Sequence, residues 1–158
     1  MIKHLMSNSS GKKNTSVKEE AIGLETGFHR MKLKVTPQRM AIYRFLLETK
    51  EHPSADMVYR QVKKTFPGIS LDTVNRTLLT LSRKGLAFVV EGSGDAKRYD
   101  GNLSSHQHFK CIKCKRIIDF YYKPFENIPA PKCLGRKLTI LRKTVYFEGV
   151  CDLCKENG

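Results

Sequence analysis

Long apolar runs are missing from this 158-residue chain. None approaches the about 20 residues that a membrane-spanning helix needs, so an integral helical membrane protein is excluded. The first ten residues hold no sustained apolar segment either, so no secretory signal is expected and the chain is read as cytoplasmic. There are no internal repeats. Acidic residues are scarce, 15 Asp and Glu against 29 Lys and Arg, for a formal net charge of +14. That balance favours a polyanionic partner such as nucleic acid, although a merely soluble basic protein would have the same composition. Apolar residues make up 40%. That is enough for a core, but each of two half-size units would benefit from a staple such as zinc or a dimer interface.

Residues 1–15 are rich in Ser, Asn, Lys and Gly, and residues 1–24 read as a disordered tail. A helix could start near Ser16, although Gly23 and Gly27 weaken it. Thr36-Pro37 then pairs an N-cap with proline at the first helical position. Ala41, Ile42, Phe45 and Leu46 give this helix an apolar face, and it should run to about Thr49. His52-Pro53 breaks it. Ser54 caps a second helix with Ala55, Val58, Tyr59 and Val62 inward. Ser70 caps a third with Val74, Leu78 and Leu81 inward, and Gly85 stops it. The third helix presents Thr73, Asn75, Arg76, Thr77, Thr80 and Arg83 on its other face. Leu86–Val90, the turn Gly92–Asp95 and Lys97–Asp100 read as a hairpin. Three helices and a hairpin make a winged helix-turn-helix over residues 25–100. Its candidate DNA contacts are Thr73, Asn75, Arg76, Thr77 and Arg83, with Lys97 on the wing. A solvated polar face is the plainer reading of the same stripe.

A polar linker over 101–105 leads to a second unit, 106–158. Strand-like runs lie near 106–112, 116–122, 138–142 and 144–150, and Pro124, Pro129 and Pro131 limit any helix between them. The fold class is therefore α+β: an N-terminal winged helix and a small C-terminal α/β unit.

Five cysteines, four of them in two Cys-x-x-Cys knuckles, fit metal chemistry in a reducing compartment better than a disulfide framework. Cys111, Cys114, Cys151 and Cys154 can surround one tetrahedral ion with no open position, which describes structural Zn2+. A redox dithiol or four unrelated thiols are the alternatives. Cys133 is left over as an ordinary thiol. His106 and His108 alternate on an extended segment and face the same way. Asp100, Asp119 and His52 are their candidate partners. Such an N/O set suits Fe2+, Mn2+ or Zn2+. Each residue taken singly is as well explained as a satisfied or exposed polar side chain.

Residues 25–156 resemble the ferric uptake regulator (Fur) family. The resemblance rests on Thr36-Pro37-Gln38-Arg39, His52-Pro53-Ser54-Ala55-Asp56, Ser70 through Leu81, Arg98-Tyr99-Asp100, the run from His106 to Cys114, Ile117-Ile118-Asp119-Phe120, and Gly149 through Cys154. It implies a homodimeric, metal-responsive repressor on a double-stranded DNA operator of two-fold symmetry, with no membrane and no small organic cofactor. It implies a regulatory Fe2+ or Mn2+ site made by His52, Asp100, His106, His108 and Asp119. Asp at position 119 is typical of the peroxide-sensing (PerR-like) branch, in which histidines at the positions of His52 and His106 are oxidised. Three departures stand out. Asn75 replaces a tyrosine that usually touches bases, and Asn can pair with adenine. Lys143 occupies a histidine position of an additional metal site, which is expected to be absent. Pro129 and Pro131 interrupt the dimer-domain helix across 124–135. The readings to be separated are a peroxide-sensing repressor and an iron, zinc or manganese uptake regulator. A metallohydrolase and a zinc-stabilised interaction module are the readings from other classes.

Overall fold

In a computed structural model, residues 26–90, 96–134, 138–140 and 143–156 are described. The expected tail, the helix start near Ser16 and most of the wing turn lie outside them.

Residues 26–30 are helical. Three helices follow: α1 (Pro37–Glu48), α2 (Ala55–Val62) and α3 (Leu71–Arg83). Each begins as its cap residue dictates. Thr36 Oγ1 accepts from the Arg39 amide at 3.3 Å, Ser54 Oγ from Met57 at 3.3 Å and Ser70 Oγ from Thr73 at 3.1 Å. A cap of this kind is worth about 1 kcal/mol. α3 stops at Gly85, whose φ of 70° is left-handed. There the Leu86 amide donates to Leu81 O at 2.9 Å and the Gly85 amide to Ser82 O at 3.0 Å. Those two bonds satisfy carbonyls of the last turn, and Leu81 and Leu86 are both buried against the core.

The hydrophobic core belongs to this first unit. Ile42 and Leu46 of α1, Val58 and Val62 of α2, and Val74, Leu78 and Leu81 of α3 are buried together with Phe28 and Tyr99. The expected faces are those observed, with Ala41, Phe45, Ala55 and Tyr59 half-buried beside them. β1 (Phe88–Val90) and β2 (Arg98–Asp100) form the antiparallel hairpin, with Val90 opposite Arg98 and Phe88 opposite Asp100. The first strand is shorter than expected because Leu86 and Ala87 turn inward to the core.

The second unit is a three-stranded sheet in the order β4-β3-β5. β3 (Gln107–Cys111) pairs antiparallel with β4 (Ile117–Phe120) and parallel with β5 (Tyr146–Gly149). A short helix, α4 (Asp152–Glu156), closes the chain's described part. Here the buried side chains are Gln107, His108, Lys110, Cys111, Ile117 and Cys151. That set is too polar to serve as a hydrophobic core. One expectation fails and another holds. Residues 138–140 are not a strand; Leu138 and Ile140 are 59% and 44% exposed, and β propensity without a partner strand has nothing to act on. Among the described residues of 124–135 only two 3-10 turns occur, Lys123–Phe125 and Lys132–Leu134, in keeping with the three prolines.

Candidate metal centre

Parallel pairing of β3 with β5 sets Cys111 opposite Gly149, so Cys151 arrives beside Cys111 two residues later. The β3–β4 turn carries Cys114, and α4 carries Cys154. The four Sγ atoms lie within 4.8 Å of one another, with Cys114 and Cys151 at 3.7 Å. Four sulfurs each about 2.3 Å from a tetrahedral ion would stand about 3.8 Å apart, so the spacing fits zinc. A disulfide would need contact at about 2 Å, and all four thiols are free. The Cys151 amide donates to Cys111 Sγ at 3.4 Å and the Cys114 amide at 3.5 Å. These N–H groups favour the thiolate and bring Cys111 down to about 6. Cys154, hydrogen-bonded to Cys151 and packed among the other sulfurs, is pushed up to about 12. Thiols this close ionise together only with a cation among them.

The second cluster is assembled from four places in the fold. His52 sits in the break between α1 and α2 with φ 48°, Asp100 ends β2, and His106 and His108 lie before and on β3. Asp119 on β4 is directly opposite His108. His106 Nε2 is 3.0 Å from His108 Nε2. Asp100 Oδ2 lies 3.8, 2.8 and 3.4 Å from the Nε2 atoms of His52, His106 and His108. Asp119 Oδ1 lies 2.8, 3.7 and 3.5 Å from the same three atoms. Ligand atoms about 2.1 Å from a shared ion stand about 3 to 4 Å apart, depending on the angle between them, and the separations here, 2.8 to 3.8 Å, lie close to that range.

The surroundings support that fit. His52, Asp100 and His108 are almost fully buried; His52 Nδ1 has no hydrogen-bond partner, and His52 Nε2 and Asp100 Oδ2 face only the other atoms of the cluster. Buried polar atoms left unpaired cost about 1–3 kcal/mol each, a cost that a bound cation removes. Burial lowers the His52 pKa, against the pull of Asp119 and Asp100, and so favours the neutral imidazole that ligates. Burial acts to raise Asp100, but hydrogen bonds from His108 and the Asn102 amide outweigh it and the carboxyl is held low. Asp119 is the open side of the site: its side chain is 33% exposed. It lines a cleft of about 450 Å³ with Leu47, Lys50, His52, Asp100 and Asn102.

The linker over 101–105 holds ligands, a role its composition did not reveal. Asp100 Oδ1 accepts from the Asn102 amide at 2.7 Å, and Asn102 Oδ1 accepts from the Ser104 amide at 3.1 Å. Ser104 O accepts from His106 Nδ1 at 2.8 Å. That last bond leaves Nε2 as the ligating nitrogen of His106. Gly101 packs so tightly that a Cβ there would lie 2.7 Å from Leu46 O. The alternation Asp100-x-Asn102-x-Ser104 was the readable signal, since these side chains favour local backbone hydrogen bonds.

A sequence model described as the Ferric uptake regulator family matches residues 30–147. The chain belongs to that family. It is 34% identical over 128 residues to the peroxide-responsive repressor PerR of Staphylococcus epidermidis, spanning 80% of this chain and 84% of that one. It is 35% identical over 135 residues to the transcriptional regulator PerR of Clostridium acetobutylicum, spanning 85% and 98%. Its fold resembles the Helicobacter pylori ferric uptake regulator Fur, a structure described as revealing three functional metal binding sites. The TM-score is 0.70 at 21% identity, covering 87% of this chain and 93% of that one.

Of the expected DNA contacts, Asn75, Arg76, Arg83 and Lys97 are exposed and Thr73 is half-buried. Thr77 is not at the surface as expected. It is 6% exposed, because it falls between Val74 and Leu81 on the packed side of α3. It lies on a cleft of about 350 Å³ shared with Thr73, Arg76 and Thr80, whose other wall is Lys34, Thr36, Gln38 and Arg39. The start of α1 thus adds two cations to the basic face that the pattern of α3 alone did not show. No helix among the described residues is long and apolar enough to cross a membrane.

Proposed function

We propose that the chain is a metal-dependent, DNA-binding repressor that senses hydrogen peroxide. What supports this is the approach of His52 and Asp100, from the proposed winged helix (25–100), to His106 and His108 of the proposed zinc-stapled unit (106–158), with Asp119 of that unit beside the three imidazoles. Cys111, Cys114, Cys151 and Cys154 hold structural Zn2+ and keep the second unit folded. The five-ligand site holds Fe2+ or Mn2+. A ligand that bridges two units favours only those arrangements in which both reach it, so metal binding selects one relative placement of the winged helices in a homodimer. α3 enters the major groove, with Asn75, Arg76 and Arg83 toward the DNA, Lys97 on the phosphates and Thr73 at the edge.

Bound Fe2+ would supply the redox activation of peroxide beside the ligand imidazoles. In the net reaction one imidazole carbon gains an oxygen atom and gives up two electrons, and the other oxygen of the peroxide leaves as water. His52 and His106 are the residues proposed to be modified. Once modified, that side chain no longer ties its unit to the other, and DNA is released. The exposed edge at Asp119 gives a small oxidant a path in. Mass spectrometry of the Fe2+ protein after peroxide treatment tests this. One added oxygen on the peptide carrying His52 or His106, with loss of operator binding, is the expected result. Unmodified peptides with peroxide-insensitive DNA binding would leave an iron, zinc or manganese uptake regulator.

A further inference from the structure

Arg98 joins the two metal clusters through backbone carbonyls. It lies on β2, two residues before Asp100. Its Nη2 donates to Glu51 O at 2.7 Å and its Nε to His52 O, both in the break that presents His52. Its Nη1 reaches Lys115 O at 3.4 Å, in the turn that follows Cys114. That carbonyl has a defined position. Lys115 has φ 63°, its amide donates to Cys111 O at 3.0 Å, and the Cys111 amide donates to Arg116 O at 2.9 Å. The zinc knuckle thus presents a rigid acceptor to a guanidinium whose other donors hold the His52 loop.

His52 needs such a hold. It stands at φ 48°, a conformation that L-residues adopt rarely, and it precedes a proline. Unlike the other four ligands, it lies N-terminal to the hairpin, in the break between α1 and α2. The segment after it is tied to β2 by the Tyr99 amide on Pro53 O at 3.0 Å and by the bridge between Ser54 and Arg98. Arg98 completes this tie on the ligand's own carbonyl. A guanidinium spreads its donors in a fixed planar fork, whereas a lysine ammonium is a point charge that cannot span three carbonyls in that geometry.

We propose that Arg98 is a positioning residue for the five-ligand site, fixing the His52 backbone against the first cysteine knuckle so that His52 is presented to the metal. The inference rests on reading the two clusters as metal sites. It adds that the structural zinc turn is part of the frame on which the regulatory ligand is seated.

Mn2+ affinity of the full chain, measured with one zinc per chain retained, tests it. R98K is expected to weaken Mn2+ binding by about ten-fold or more, the scale on which outer-shell partners act. Zinc content and helix content should stay unchanged. In a His52→Ala background, R98K should cause no further loss, because Arg98 acts through His52. The Co2+ visible spectrum of R98K should resemble that of His52→Ala. Unchanged Mn2+ affinity in R98K, or a loss of the same size with His52 already removed, overturns the role. If R98K fails to fold, the wild-type chain answers instead. Filling the site with diamagnetic Zn2+ should slow solvent exchange of the Arg98 Nε proton, and unaltered exchange refutes the proposal. A wild-type chain that binds no Mn2+, or a His108→Ala variant that binds it as well as wild type, overturns the metal reading itself.

Discussion

His52 shows how a single residue can combine strain, burial and chemistry. Its left-handed backbone costs about 1–2 kcal/mol, and its imidazole is buried with Nδ1 lacking a hydrogen-bond partner. Both features make sense if the side chain is there to ligate. Removing the ligands one at a time should therefore separate the two clusters. His108→Ala is expected to abolish Mn2+ binding while leaving one zinc per chain, measured by metal analysis after dialysis. Cys114→Ala should do the reverse at the level of folding: zinc is lost, and regulatory metal binding goes with it. Gly101 is the other residue on which the site depends. Gly101→Ala places a methyl 2.7 Å from the Leu46 carbonyl, and the backbone at the end of α1 must move to admit it. Overpacking of this sort costs about 1–3 kcal/mol, read as a lower midpoint in denaturant unfolding. Weaker Mn2+ binding should accompany it, because Gly101 adjoins Asp100.

Among the elements, α3 carries the most consequence. Its start and stop are set by local chemistry, the Ser70 hydroxyl on the Thr73 amide and the left-handed Gly85. Ser70→Ala should cost about 1 kcal/mol in stability, checked by thermal melting, and Gly85→Ala a similar amount. The caps, the apolar faces and the hairpin were all readable, since each depends on residues within four or five positions. The side of the helix on which Thr77 falls was not. Its neighbours Val74 and Leu81 are drawn against α1 and the core, and an interior threonine at that spacing looks the same as a surface one in a list of polar residues. β propensity misled in a similar way at 138–140, where branched side chains lie exposed outside the sheet. The linker was underrated for the opposite reason. A short stretch of Gly, Asn, Leu and Ser read as a spacer, yet its hydrogen bonds run in a ladder from Asp100 to His106.

The whole molecule is two units of different character. The first has an apolar core around Phe28, Ile42, Leu46, Val74 and Leu78. The second buries histidine, glutamine, lysine and cysteine around its sheet. Chelation of zinc from the chain should therefore unfold β3–β5 and leave the helices intact. Far-UV circular dichroism should keep the helical signal while amide exchange of residues 107–120 becomes fast; retained protection there would argue against a structural role for zinc. DNA binding is the other whole-molecule property. With a formal charge of +14 and cations from α1, α3 and the wing on one face, operator affinity should fall linearly in log K against log salt. Replacing Arg76 or Lys97 by Ala should reduce that slope by about one each.

Taken by itself, the chain of residues determined the helix boundaries, the faces that form the core and the two cysteine knuckles. These follow from spacing, capping and ligand chemistry, all of which are written locally or as a motif; the five candidate regulatory ligands were named together only by the family resemblance. Tertiary structure alone decided that His52 and Asp100 meet His106, His108 and Asp119, that the linker braces them against α1, and that Thr77 is inside. Those outcomes depend on how the α1–α2 break and the end of β2 approach the second sheet. Such packing is settled by the sum of many small contacts between segments distant in sequence, and no short pattern of residues records it.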